Sequence, residues 1–305
     1  MEKTNLIMLP GLLNDASLFT HQVGELSNLV AVTVADLTGA DSIAALAADT
    51  LAQAPTGRFV LAGMSMGGYV AFEIMRQAGE RVKALALLST SARPDTPEAS
   101  AGREALIELS RTDFPAVIEK LLARMAHPAH ADTPEVGGMF QSMATELGPE
   151  VFARQQRAIM GRADSRPTLA GIRCPTLVIC GRQDELTPPE VHEEIVAGIP
   201  GAQLAVIEEL LGLLEPVGIP LALQSAAIHV ADGDHVAELR GVVRVASALA
   251  ADADAGDVQP LIGGLADRRS GAGGYEVACA RNRGGFEKGT AVCLGHSLFL
   301  LTNGS

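Results

Sequence analysis

A chain of 305 residues with 48% apolar side chains is long enough to bury a full core, and its length suits one large α/β domain with insertions or two domains. The formal net charge of −13, with no cluster of lysine or arginine, argues against nucleic acid or an anionic membrane as partner, because both demand a positive face. No segment approaches about 20 uninterrupted apolar residues, and the opening MEKTNLIMLPGLL is too short and too acidic at its front for a signal peptide, so the sequence reads as cytoplasmic.

In chain order, the first predicted strand is TNLIMLP (4–10), followed by a helical stretch SLFTHQVGELSN (17–28). Strand NLVAVTVAD (28–36), helix SIAALAADTLAQA (42–54), strand RFVLAGMS (58–65), helix MGGYVAFEIMRQAG (66–79) and strand VKALALLST (82–90) come next. The strands are short runs rich in Val, Ile and Leu, the composition of strands buried on both faces. Strand alternating with helix implies a mostly parallel, doubly wound α/β sheet.

Residues 91–170 break the rhythm with helical signals alone. In FPAVIEKLLARM, residues Phe114, Val117, Ile118, Leu121, Leu122 and Met125 share one face. Lying between two strands, this stretch predicts an inserted helical cap over the carboxyl edge of the sheet, where open α/β folds bind ligands. Its Met125, Met139, Phe140, Met143 and Phe152 offer flexible apolar walls for a modest acyl or alkyl chain.

The rhythm resumes with strand PTLVICG (175–181), helix PPEVHEEIVAGIP (188–200) and strand AQLAVIEE (202–209), so residues 1–90 and 171–209 form the expected core. From about Leu210 the alternation is lost, and ADADAGDVQPLIGG and DRRSGAGGYE carry no stable period. Residues 210–305 therefore read as an atypical C-terminal region: disordered, divergent, fused or frame-shifted. Cys174, Cys180, Cys279 and Cys293 have neither metal-ligand spacing nor the density of a disulfide scaffold and read as buried thiols.

One motif carries chemistry. Gly63-Met64-Ser65-Met66-Gly67 joins a strand to a helix, and glycine two positions either side of the serine is what a tight, strained turn requires. Such a turn exposes the Ser65 hydroxyl at the top of the sheet. The following helix aims its free backbone N–H groups and positive dipole end at the same point, so a nucleophile and an anion site coincide.

With these residues the chain resembles the α/β-hydrolase family over about residues 4–209, and within it the small capped carboxylesterases, enol-lactonases and carbon–carbon bond hydrolases. LPGLLNDASLF (9–19) follows the first strand where the family has its oxyanion loop. The resemblance implies that the backbone N–H groups of Leu12 and Met66 receive a developing oxyanion. The family more often has His-Gly where this chain has Pro10-Gly11, a change of little weight if the donor is backbone. In CGRQDELTPP (180–189), Asp184 just past a strand falls where the family keeps its triad acid, with Glu185 the local alternative.

The base is where the sequence departs from the pattern. The family supplies Gly-His after its last strand, whereas AVIEELLGLLEP here contains no histidine. His21, His127, His130 and His192 read as solvated or helix-end groups, and His127 with His130 lacks a third metal ligand. Downstream, His235 in GDH before an apolar helical stretch is taken as the base, with Gly295-His296 second and His229 read as packed in a strand.

The expectation is thus a serine hydrolase acting on small carboxylic esters through an acyl-enzyme on Ser65. Alternatives are an enol-lactone or carbon–carbon bond hydrolase on the same scaffold, or a base-less pseudoenzyme acting as a binding protein. No cofactor and no metal is implied, and the expected partner is a small-molecule ester.

Overall fold

The computed structural model describes residues 3–128 and 130–207 together with two short strands, 291–294 and 297–300. The chain divides into two compact units, Met1–Ile262 and Gly263–Ser305. Within the second, β7 (Ala291–Leu294) and β8 (Ser297–Leu300) pair antiparallel, a short regular element in a region whose sequence has no stable period.

The first unit holds a six-stranded sheet of β1 (Thr4–Leu9), β2 (Val30–Val34), β3 (Phe59–Met64), β4 (Val82–Leu88), β5 (Thr176–Gly181) and β6 (Gln203–Ile207). The order is β2-β1-β3-β4-β5-β6 with every pair parallel, as the alternating sequence predicts. Every residue of β3 and β5 is buried, so both faces of the central sheet are covered. β2, at the edge, alternates between more and less exposed positions instead.

Parallel neighbours need crossovers, and helices supply them: α1 (Thr20–Leu26), α2 (Ile43–Gln53), α3 (Met66–Ala78) and, after β5, α8 (Pro189–Gly198). The Ser42 hydroxyl accepts from the Ala45 N–H and starts α2. The chain turns from β1 to β2 on one side and then crosses to β3 on the other. The topological switch point, where such sheets open a crevice, therefore lies at the carboxyl ends of β1 and β3.

Between β4 and β5 come α4 (Pro97–Ser110), α5 (Phe114–Met125), α6 (Met139–Met160) and the short α7 (Arg166–Leu169). Thr96 and Asp113 cap α4 and α5 through their side chains. The predicted stripe of α5 is buried at Val117, Ile118, Leu121 and Leu122. α6 bends at Gly148, whose φ is 78°, followed by Pro149, which has no N–H for a helical bond. Beyond the bend, Arg154 Nε donates to the Thr38 carbonyl at 2.9 Å, and Gln155 reaches Leu13 and Leu37, which holds this inserted layer over the loops at the carboxyl edge.

Candidate active site

Ser65 separates β3 from α3 with φ 51° and ψ −113°. A non-glycine residue in such a region carries about 1–3 kcal/mol of strain and persists only where its surroundings over-determine it. Here they do. The Ser65 N–H donates to the Leu88 carbonyl at 2.9 Å, and its own carbonyl accepts from the Gly68 N–H at 2.9 Å and the Thr90 hydroxyl at 2.8 Å. The flanking glycines answer to close approach. A Cβ on Gly63 would stand 2.5 Å from the Gly67 carbonyl oxygen, and one on Gly67 would collide with the Leu9 carbonyl. Ser65 is partly exposed, while β3 before it and residues Met66 to Val70 after it are buried.

The loop after β1 lies against this serine, since a Cβ on Gly11 would be 3.6 Å from Ser65 Cβ and 2.8 Å from Asn14 Oδ1. The Asn14 N–H closes a turn onto the Gly11 carbonyl at 3.3 Å, and Leu13 within it has φ 54°. The Leu13 N–H donates to Gln155 Oε1 at 2.9 Å. Leu12 and Met66, both buried, have backbone N–H groups that donate to no acceptor among the described residues.

Asp184 follows β5, as expected, and is half-buried. Its Oδ1 accepts from the Leu186 and Thr187 N–H groups at 2.9 and 2.8 Å, and its Oδ2 from the Thr187 hydroxyl at 2.8 Å. These bonds shape the turn into α8. A carboxylate has about four acceptor sites, so Oδ2 keeps one for a further donor. Glu185 is exposed.

One reading is overturned. His192 is neither solvated nor a helix-end charge but fully buried. Its Nε2 accepts the Thr90 N–H at 3.0 Å, which leaves the ring proton on Nδ1, 3.2 Å from the Pro188 carbonyl. Burial pushes its pKa below the ordinary value, against the opposing effects of the Pro188 carbonyl and the Asp184 charge. Hydrogen bonds thus run from the Asp184 turn through Pro188, His192 and Thr90 to the Ser65 carbonyl. The sequence signals neither Thr90 nor Gln155, because each partner lies far away along the chain.

His229, His235 and His296 lie outside the described residues. Among the described residues, no three His, Cys, Asp or Glu side chains gather as for a metal ion, and no helix is long and apolar enough to cross a membrane. A cleft of about 820 Å³ lined by Arg58, Arg76, Lys83, Arg173, Cys174 and others opens at the amino-terminal ends of β4, β5 and β6, the opposite edge from Ser65.

Residues 6–248 match the alpha/beta hydrolase family. A pimeloyl-acyl-carrier-protein methyl ester esterase of Neisseria meningitidis is 29% identical over 157 residues, covering 48% of this chain and 49% of that protein, so the match spans about half of that relative's length. A thermophilic esterase from Thermogutta terrifontis superposes with TM-score 0.62 at 30% identity, over 68% of this chain and 81% of that one. The enol-lactonase of Burkholderia xenovorans gives TM-score 0.63 at 26% identity, over 68% and 84%.

Proposed function

The chain belongs to the alpha/beta hydrolase family, and on that premise we propose that it is a serine hydrolase of small carboxylic esters working through an acyl-enzyme on Ser65. The observation that carries this reading is the strained, partly exposed Ser65 among buried neighbours, with backbone N–H groups at Leu12 and Met66, on the flanking segments, that donate to no acceptor among the described residues. The esterase names of the relatives support the same class.

On this reading Ser65 Oγ attacks the ester carbonyl carbon and gives its proton to a histidine base, for which His235 stands first and His296 second. The Leu12 and Met66 N–H groups stabilise the oxyanion, a contribution worth roughly 10²–10³ in kcat per donor in comparable sites. Collapse of the tetrahedral intermediate breaks the bond to the alkoxide, which takes the proton back from the base. Water, deprotonated by the same base, then releases the acid and restores the Ser65 hydroxyl. Asp184, with one acceptor site left on Oδ2, orients the base and stabilises its charged form.

The test is hydrolysis of short p-nitrophenyl esters with labelling by a serine-directed phosphonate. Stoichiometric label on Ser65, and loss of both activity and label in a folded Ser65→Ala variant, is the expected result; label on another residue defeats the reading. The likeness to an enol-lactonase favours a second reading, ring-opening of an enol-lactone on the same scaffold. Turnover of an enol-lactone far above that of acyclic esters would select it.

A further inference from the structure

Gln155 is a fully buried side chain of the inserted helical layer with both ends of its carboxamide engaged. Its Oε1 accepts the Leu13 N–H at 2.9 Å and its Nε2 donates to the Leu37 carbonyl at 3.1 Å, so it ties together the loops after β1 and β2. The first bond falls on the second residue to break the backbone rule at this site: Leu13, at φ 54°, occupies a conformation natural to glycine. The turn from Gly11 to Asn14 thus has its Leu12–Leu13 peptide held in one sense, with the N–H toward Gln155 and not into a strain-free turn. Leu12 is the next residue back, and its N–H is one of the two expected oxyanion donors. Relaxation of Leu13 out of positive φ would reshape the Gly11–Asn14 turn that also carries the Leu12 N–H.

We infer that Gln155 is a positioning residue for catalysis: by accepting the Leu13 N–H it keeps the strained turn that points the Leu12 N–H at the reacting carbonyl. The inference rests on the reading of Ser65 as nucleophile and of Leu12 as oxyanion donor. It makes the inserted layer part of the catalytic apparatus. Oxyanion donors act on charge that develops in the transition state, so a misaimed one lowers kcat and leaves KM nearly unchanged.

The experiment uses the full chain and three variants, each checked for folding: Gln155→Leu, Gln155→Glu, and the double variant Gln155→Leu with Leu13→Gly. Gln155→Leu removes the acceptor, and kcat for a p-nitrophenyl ester should fall roughly 10- to 100-fold at little change in KM. Gln155→Glu keeps an acceptor for the Leu13 N–H and, with its buried carboxyl protonated, a donor for the Leu37 carbonyl, so it should stay closer to the parent. Glycine takes positive φ without strain, so Leu13→Gly should restore most of the kcat lost in Gln155→Leu. A role confined to holding the helical layer in place gives no such rescue. An unchanged kcat in folded Gln155→Leu while Ser65 still takes the phosphonate overturns this inference alone. So does an equal loss in Gln155→Glu, or a loss that Leu13→Gly leaves in place. Should Gln155→Leu fail to fold, Gln155→Met, which fills a similar volume without the acceptor, takes its place with the same expected and overturning results. A parent whose Ser65 takes no phosphonate removes the nucleophile reading and this inference with it.

Discussion

Thr90 commits two of its hydrogen-bonding groups to one purpose: its hydroxyl fixes the Ser65 carbonyl and its N–H is fixed by His192. The second bond requires an unprotonated Nε2, because an imidazolium has only donors to offer. Burial depresses the His192 pKa, so below about pH 6.5, the ordinary histidine value, the unfolded chain takes up a proton that the folded one resists. Stability is then greatest above that pH and falls as the pH drops through it, since the unfolded state binds more protons. Thermal midpoints measured from pH 8 to 5 should decline over the acid half of that range. In His192→Gln, whose amide can both accept and donate without titrating, the part of the decline due to this residue should disappear; an identical curve would mean that His192 makes no such contribution. Ser65 was legible in the sequence because its turn chemistry lies within five residues. The role of His192 was not, because its partner is 102 residues away.

At the scale of elements, the inserted segment is tied together by charge as well as by apolar contact. Asp95, nearly inaccessible, accepts from Arg162 at 2.8 Å and from Arg103 of α4 at 3.2 Å. Arg162 in turn lies 4.5 Å above the ring of Tyr69 on α3 and donates to the Arg93 carbonyl. One carboxylate thus serves two guanidinium groups, and removing it leaves Arg162 with 9% of its side chain exposed and its charge partner gone. Asp95→Asn should destabilise by about 3–5 kcal/mol, the usual result of breaking one side of a buried pair; a denaturant midpoint unchanged at constant m-value would refute this. Burial pushes the Asp95 carboxyl up, but the Arg162 and Ser100 hydrogen bonds and the two arginine charges outweigh it and hold its pKa below the ordinary value. Its stabilisation is therefore present above about pH 4, the unfolded carboxylate value, and lost as the pH falls below it. Helical periodicity announced α5, whereas no local pattern announces an Asp95 that collects Arg103 from α4 and Arg162 from the loop after α6.

For the whole molecule, the histidine base is the open assignment, and mutation separates the candidates. With His235 as base, His235→Ala should lose nearly as much kcat as Ser65→Ala, because members of a triad act as a unit, and His296→Ala should be close to silent. The opposite pattern transfers the role to His296. Parent rates in both variants would mean that neither serves. What the sequence by itself determined is the succession of elements: six strands, the helices between them, the helical insertion after β4 and the strained turn at Ser65. Each is written in periodicity and turn residues over a span of a few residues to a few turns, the range over which side chains and backbone interact locally. Tertiary structure alone decided that β3 lies beside β1, which brings Gly11 to Ser65, and that Gln155 meets Leu13 across 142 residues. Such contacts depend on which buried faces and unpaired backbone groups find each other once the core has closed, and no spacing along the chain encodes them.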